Sequence, residues 1–367
     1  MSARPYSNWS REFMSNLPNM VETGVAGGAA CPDPARNEPC TRVPRARIAL
    51  LSNPKSSGNI AKLSRIREYC SDHPDIFHYE VEHASQIGEA MKVIARIRPK
   101  VLAINGGDGT VQVTLTELYN GGHFGDCPPP VAVLPSGKTN LIALDLGARG
   151  DPIETLERLI ELARTDLGAN TVARELIALR RPGADDRPVI GMFLGGAGLA
   201  ETMLYCREKI YPLGLPNGLA HALAALAGMV KLISRAKASF LPPDTHPLSL
   251  SMPHEDSRLT GRFSLLMVTT LEKVLLSMDL GGRRQGALKL LAVEERPASV
   301  VAAFAASVRG KLGRSKVRGV HFKEADEITI EGESSHVILD GETFRAELGS
   351  PIHLAPAQPL AFVKLAA

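Results

Sequence analysis

From residue 46 onward the chain alternates strand-like and helix-like segments with little between them. A strand-like run at 48–51 is followed by helical spacing at 61–70, a strand at 77–82, a helix at 85–97 and a strand at 101–104. Helical spacing returns with Val111, Leu115 and Leu118, and another apolar run follows at 131–134, after Pro128-Pro129-Pro130. A parallel sheet with crossover helices packed back onto it satisfies such alternation. At 367 residues the chain exceeds one ordinary core and divides into about two domains.

Three polar loops punctuate the alternation. Ser52-Asn53-Pro54-Lys55-Ser56-Ser57-Gly58 follows the first strand, Gly106-Gly107-Asp108-Gly109-Thr110 the third, and Pro135-Ser136-Gly137-Lys138-Thr139-Asn140 the fourth. The glycines at 106, 107 and 109 let backbone approach a polyanion without Cβ interference, and the next helix can aim its first amides at phosphate. Asp108 is then left for a metal or a proton. The plain alternative is a glycine-rich strand-to-helix turn with Asp108 capping the helix. Gly137-Lys138-Thr139 resembles the end of a Walker A loop, but that motif needs a glycine where Ala132 stands, so the assignment is rejected.

Beyond about residue 172 the pattern changes to short apolar runs at 175–179, 189–194, 248–251 and 263–269, separated by Pro, Gly, Asp and Ser. These predict a mostly antiparallel β-rich domain over 173–355, after an α/β domain over 46–172. Two helical insertions interrupt it, at 219–233 and 298–312; Leu219, Leu223, Leu226, Val230 and Ile233 share one face of the first, a stripe that favours a core position over a membrane one. Late strands at 327–330 and 337–339 lead to Asp340-Gly341-Glu342. Alone, that tripeptide reads as a plain Asp-Gly hairpin turn. The run Arg309, Lys311, Arg314, Lys316, Arg318 and Lys323 is the densest basic stretch and fits an anionic lipid surface, with a solvated loop as the default.

Composition narrows the classes. With 44% hydrophobic and 22% charged residues the chain is of globular type, and 42 Lys plus Arg against 39 Asp plus Glu leave a net charge of +3, no global pull toward nucleic acid. Cys31, Cys40, Cys70, Cys127 and Cys206 are scattered, which fits a reduced, cytoplasmic compartment and indicates neither a zinc site nor a disulfide framework. Residues 1–45 lack a secretory core and read as a flexible tail. The longest apolar stretch, 219–233, is broken by His221 and Lys231 and is too short to cross a bilayer comfortably.

Taken in order, an Asn-Pro loop (Asn53-Pro54-Lys55), the Gly-Gly-Asp-Gly-Thr turn, a Pro-x-Gly-x-x-Asn loop (Pro135, Gly137, Asn140) and a late Asp-Gly-Glu resemble the lipid-kinase superfamily of diacylglycerol, sphingosine and ceramide kinases. The resemblance, which covers nearly everything after residue 46, implies ATP in a cleft between the α/β and β-rich domains. It also implies a final strand within 356–367 that returns to the first domain. On this reading Asn53 and Lys55 meet the nucleotide, Gly106, Gly107, Asp108, Gly109 and Thr110 hold its phosphates, and Gly137 with Asn140 closes the site. Gly341 joins the same site, and Arg207 and Lys209 reach phosphate, or else lie on an exposed helix face. Lys138 either stabilises charge on the transferring phosphate or is a solvated lysine. Asp108, Asp340 and Glu342 supply the catalytic carboxylates, and Asp108 and Asp340 the ligands of a magnesium ion.

The implied activity is ATP- and magnesium-dependent phosphorylation of a primary hydroxyl on a membrane lipid of ceramide, sphingoid or diacylglycerol type. It would take place on the cytoplasmic side, with transient contact to an anionic membrane. The chain departs from the family at Gln112-Val113, where members commonly have Asn-Glu, and at Leu141, where diacylglycerol-kinase-like members have Asp. The second departure leans toward the sphingoid or ceramide branch. Two alternatives stay open: an NAD-kinase-like or phosphofructokinase-like enzyme of a soluble substrate, and an inactive nucleotide- or lipid-binding module.

Overall fold

The alternation is realised as β1 (Ile48–Ser52), α1 (Leu63–Asp72), β2 (Ile76–Glu80), α2 (Ile87–Ile97), β3 (Val101–Gly106), α3 (Asp108–Asn120), β4 (Val131–Pro135), α4 (Leu141–Asp145) and α5 (Pro152–Arg164). The structure is a computed structural model that describes residues 47–165, 167–183, 187–213, 223–224, 226–228, 230–231, 241–253, 257–271, 273–274, 278–279, 288–309, 312 and 317–365. The tail expected over 1–45 lies outside them. Strands β2, β1, β3 and β4 pair in parallel, with Ile48 beside both Ile76 and Val101, and Leu102 beside Val131. Every residue of β1 and β3 is buried, as continuous apolar runs covered on both faces must be. Helix α2 buries Ile87, Ala90, Met91 and Ile94, one stripe at helical spacing, and α5 starts at an Asp151 cap followed by Pro152.

Past residue 170 the pairing becomes antiparallel. The strands are β5 (Thr171–Arg180), β6 (Val189–Gly191), β7 (Phe193–Gly196), β8 (Leu248–Met252), β9 (Ser257–Gly261), β10 (Phe263–Thr269), β11 (Lys273–Val274), β12 (Met278–Asp279), β13 (Leu288–Glu294), β14 (Val320–Ala325), β15 (Ile328–Gly332), β16 (Ser335–Leu339), β17 (Glu342–Ala346) and β18 (Ile352–Val363). Helix α6 (Gly198–Tyr205) follows β7, and α7 (Pro297–Val308) follows β13. One sheet runs β2-β1-β3-β4-β18-β15-β8-β9, with β5 on β18 and β6 on β5; a second runs β14-β13-β10-β7-β16-β17, and β11 pairs with β12 alone. The long β18 joins the two halves of the first sheet: it is antiparallel to β5 along most of its length and meets β4 in parallel at Phe362 and Val131. Leu250, Leu266, Leu290, Ile330, Val337 and Leu354, drawn from both sheets, share a core.

Four expectations are corrected. The run expected as one strand over 189–194 is two, because the Met192 amide donates to the Asp340 side chain instead of a neighbouring strand. The helix expected over 298–312 stops at Val308. Within 219–233 the described residues 223–224, 226–228 and 230–231 are helical, but Leu223, Leu226 and Val230 are exposed, so this stripe is no core face; Leu219 and Ile233 lie outside the described residues. Cys127 is disulfide-bonded, whereas Cys70 and Cys206 are buried thiols; pairing is set by proximity in the fold, which spacing does not reveal. Among the described residues no helix is long and apolar enough to cross a membrane.

Candidate active site

The three polar loops leave the C-terminal ends of the adjacent strands β1, β3 and β4, so the parallel order alone brings them together. Hydrogen bonds then fix the meeting. Asn53 Oδ1 accepts from the Lys55 amide, which tightens the first loop, while Asn53 Nδ2 donates to Thr110 Oγ1 at 2.9 Å. Ser56 Oγ and the Gly58 amide both donate to the Ser136 carbonyl. Asn59 Nδ2 reaches the carbonyls of Asn53 and Asn105, and Ser136 Oγ donates to Asn105 Oδ1. Asn59, Asn105 and Ser136 are thus buried polar ties that the motifs did not single out.

At the centre, backbone touches backbone. A Cβ on Gly137 would stand 2.8 Å from Gly107 Cα and 3.0 Å from Asn140 Oδ1, so only glycine lets the second and third loops close on each other. Asn140 sits in the left-handed region (φ 55°) and its side chain spans the loop, accepting from the Gly137 amide at 2.6 Å and donating to the Gly137 carbonyl at 3.0 Å.

Asp108 occupies this junction. It does not cap its own helix, whose N-cap is Gly107. Its carboxylate instead accepts from the backbone amides of Asn140 and Leu141, at the start of α4, and so links the second loop to the third. Burial pushes its pKa up to about 6, outweighing the two amides that pull it down.

From the other side comes the turn between β16 and β17. Asp340 (φ 44°) and Gly341 (φ 96°) form a two-residue hairpin turn with both residues left-handed, the geometry that an Asp-Gly pair favours. The hairpin reading of this motif is therefore realised. The turn abuts the glycine motif: a Cβ on Gly341 would lie 3.5 Å from the Gly109 amide nitrogen. Asp340 is only 4% exposed and accepts from the Met192 amide at 2.7 Å and the Phe193 amide at 3.0 Å, one on each oxygen. Burial first, with the Asp108 charge adding to it, pushes its pKa up to about 8. The Glu342 side chain is exposed and makes no hydrogen bond or ion pair among the described residues.

Basic residues divide. Arg207 donates to the Gly341 carbonyl at 3.0 Å, from a single wide π-turn, Cys206–Ile210, that continues α6. Lys138 lies over the Tyr211 ring, 3.5 Å from its centre. Lys55 is engaged by His83 and Glu82. Lys209 lines a separate cavity of about 570 Å³ with Glu201, Tyr205, Lys231 and His336, so it is not among the residues gathered at the junction. Val113 and Leu141 pack against the main core, and Gln112 is buried with its Nε2 on Thr116 Oγ1; the departures from the family pattern fill space.

The donor set can be weighed against a magnesium ion. Among the described residues no three His, Cys, Asp or Glu side chains cluster. Magnesium held on ATP phosphates needs only one or two carboxylates and keeps its waters. Asp108 and Glu342 fit that need. Asp340 does not, because it is buried and both oxygens are held by amides, so its assignment as a metal ligand is withdrawn.

Residues 47–170 match the diacylglycerol kinase catalytic domain family. In fold, the chain is similar to a candidate diacylglycerol kinase from Bacillus anthracis str. Sterne, at 16% identity and a TM-score of 0.59 over 88% of this chain and 98% of that one. A further diacylglycerol kinase structure from the same organism gives 14% identity and a TM-score of 0.54 over the same shares. An NAD kinase from Archaeoglobus fulgidus in complex with ATP aligns at 12% identity with a TM-score of 0.45 over 86% of this chain and 93% of that one, too remote to argue from. No curated protein matches by sequence. Residues 47–170, which hold all three strand-end loops and Asp108, are thus the part of the chain that matches a diacylglycerol kinase catalytic domain.

Proposed function

We propose that this chain is a lipid kinase, which transfers the γ-phosphate of ATP to a primary hydroxyl of a diacylglycerol, ceramide or sphingoid lipid. It would do so from the cytoplasmic side of a membrane that it contacts transiently. The observation that carries the reading is the junction at Asp108, where three strand-end loops and the Asp340-Gly341 turn meet around one half-buried carboxylate.

In this reading the glycines of the second and third loops, with the N-terminal end of α3, cradle the phosphates. Magnesium, when bound, would neutralise phosphate charge, and the exposed Glu342 is the residue that would hold it, which leaves Asp108 for the proton. Arg207 braces the Gly341 turn against the cradle, and Lys138 supplies a cation at the third loop. As the acceptor oxygen bonds to the γ-phosphorus and the bond to the ADP oxygen breaks, the hydroxyl proton passes to the Asp108 carboxylate. A pKa near 6 leaves Asp108 ionised at neutral pH and still basic enough to take that proton. Asp340 acts as a positioning residue that holds the turn through the Met192 and Phe193 amides.

The test incubates the purified chain with labelled ATP, magnesium and a panel of diacylglycerol, ceramide, sphingosine and NAD, and identifies products by mass spectrometry. Phosphorylation of one of the lipids is expected. Transfer to NAD alone, or to none of the four, would contradict the proposal.

A further inference from the structure

Helix α7 has no charged residue in its twelve positions, yet it lies at the surface. Val300, Ala303 and Ala306 pack inward on the main core. On the opposite side Val301 is 62% and Phe304 60% exposed, and Ala298 is exposed one turn earlier. A helix at a protein surface normally turns polar side chains to water; this one turns a valine and a phenylalanine, three residues apart on one face.

The charge around that face is one-sided. From residue 297 to 323 the chain holds Arg309, Lys311, Arg314, Lys316, Arg318 and Lys323 and no Asp or Glu. Arg309 ends the helix and is exposed. Arg318 is exposed as well, and its neighbour Gly319 lies so close to Ser299 that a Cβ there would collide with the hydroxyl. Cations therefore stand at both ends of the apolar face. Two nearby acids are engaged: Glu294 pairs with Arg296 and His321, and Glu295 accepts from Thr245.

We propose that this face of α7 docks on an anionic lipid bilayer, with Val301 and Phe304 entering the boundary between headgroups and acyl chains and Arg309 and Arg318 meeting lipid phosphates. An apolar patch flanked by cations that pair with no acid among the described residues is complementary to such a surface. A second copy of the same face would instead bring like charges together. The inference rests on the lipid-kinase reading for its purpose, but not for its test.

The full chain is sedimented with vesicles of phosphatidylcholine alone, or of equal parts phosphatidylcholine and phosphatidylglycerol, with no nucleotide present. Binding to the anionic vesicles is expected to exceed binding to the neutral ones by at least tenfold and to weaken as salt rises. The double substitution Arg309→Glu/Arg318→Glu should lower it by about thirtyfold or more, at roughly fivefold per lost arginine. Val301→Asp/Phe304→Asp should lower it by a similar amount at low salt. Wild-type binding by both double variants would overturn the proposal. So would a dimer seen by light scattering that both variants dissolve while vesicle binding stays absent throughout, since a second copy would then be the occupant. Because no ATP or acceptor is needed, failure here leaves the kinase reading standing, and failure of phosphoryl transfer leaves docking standing.

Discussion

Replacement of Asp340 by asparagine should change how stability depends on pH, because burial raises the pKa of this carboxyl. In the folded protein the Asp340 carboxyl is buried, near Asp108, and titrates near 8 in place of its ordinary 3.8. Below pH 4 both folded and unfolded forms hold the proton and the group has no effect. As pH rises, the unfolded chain releases its proton first, so folding must retain a proton or bury a charge, and stability falls until pH passes about 8. Each unit in that window costs about 1.4 kcal/mol. Asp108 contributes the same sign of slope only up to its own value near 6, so the range from pH 6 to 8 isolates Asp340. Over that range the wild type should lose about 2 kcal/mol to this group. An asparagine cannot ionise, but its NH2 takes the place of one carboxylate oxygen and faces one of the Met192 and Phe193 amides donor to donor, which leaves that amide unpaired at a cost of about 1–3 kcal/mol at every pH. Urea denaturation at pH 6, 7 and 8 should therefore find Asp340→Asn the less stable protein at pH 6, with the gap narrowing toward pH 8. Parallel pH profiles for the two proteins would refute the assignment of the raised carboxyl to Asp340.

Other consequences are local. Gly137→Ala drives a methyl to 2.8 Å from Gly107 Cα and should cost about 1–3 kcal/mol in thermal denaturation, whereas at Gly107 the nearest atom lies 3.6 Å away and alanine should be tolerated. Equal losses would mean that the loops do not meet as described. If Lys138 leaves the Tyr211 ring for phosphate, Tyr211→Leu removes a competing cation–π contact and should tighten ATP binding about two- to fivefold in titration calorimetry. Lys138→Met should erase that gain, and a gain that persists in the Lys138→Met background would place the effect elsewhere.

Much of this fold is legible in the sequence because it is local. The runs at 48–51, 101–104 and 131–134 are apolar on both faces, and they become strands buried on both faces. The loop residues also declare themselves locally: glycine at 106, 107 and 137 and asparagine at 140 are the types that close approach and a left-handed backbone require. What the sequence hides is pairing across distance. Nothing near Met192 indicates that its amide serves a carboxylate 148 residues later, and that one bond splits an apolar run that otherwise reads as a single strand. Lys209 and Arg207 look equivalent in the sequence, yet a π-turn sends one to Gly341 and the other to a separate cavity. The apolar stripe at Leu223, Leu226 and Val230 has core spacing and an exposed position, because spacing specifies a face and not what covers it.

The central claim is that Asp108 takes the acceptor proton at the loop junction. Single-turnover phosphoryl transfer from ATP to the lipid acceptor, measured across pH for wild type and Asp108→Asn, tests it most directly. The wild-type rate should rise through about pH 6 to a plateau, as Asp108 ionises. Asp108→Asn should fall by about 10²–10⁴-fold and lose that pH dependence while remaining folded at the assay temperature, as checked by circular dichroism. An Asp108→Asn protein that transfers phosphate at the wild-type rate would contradict the account.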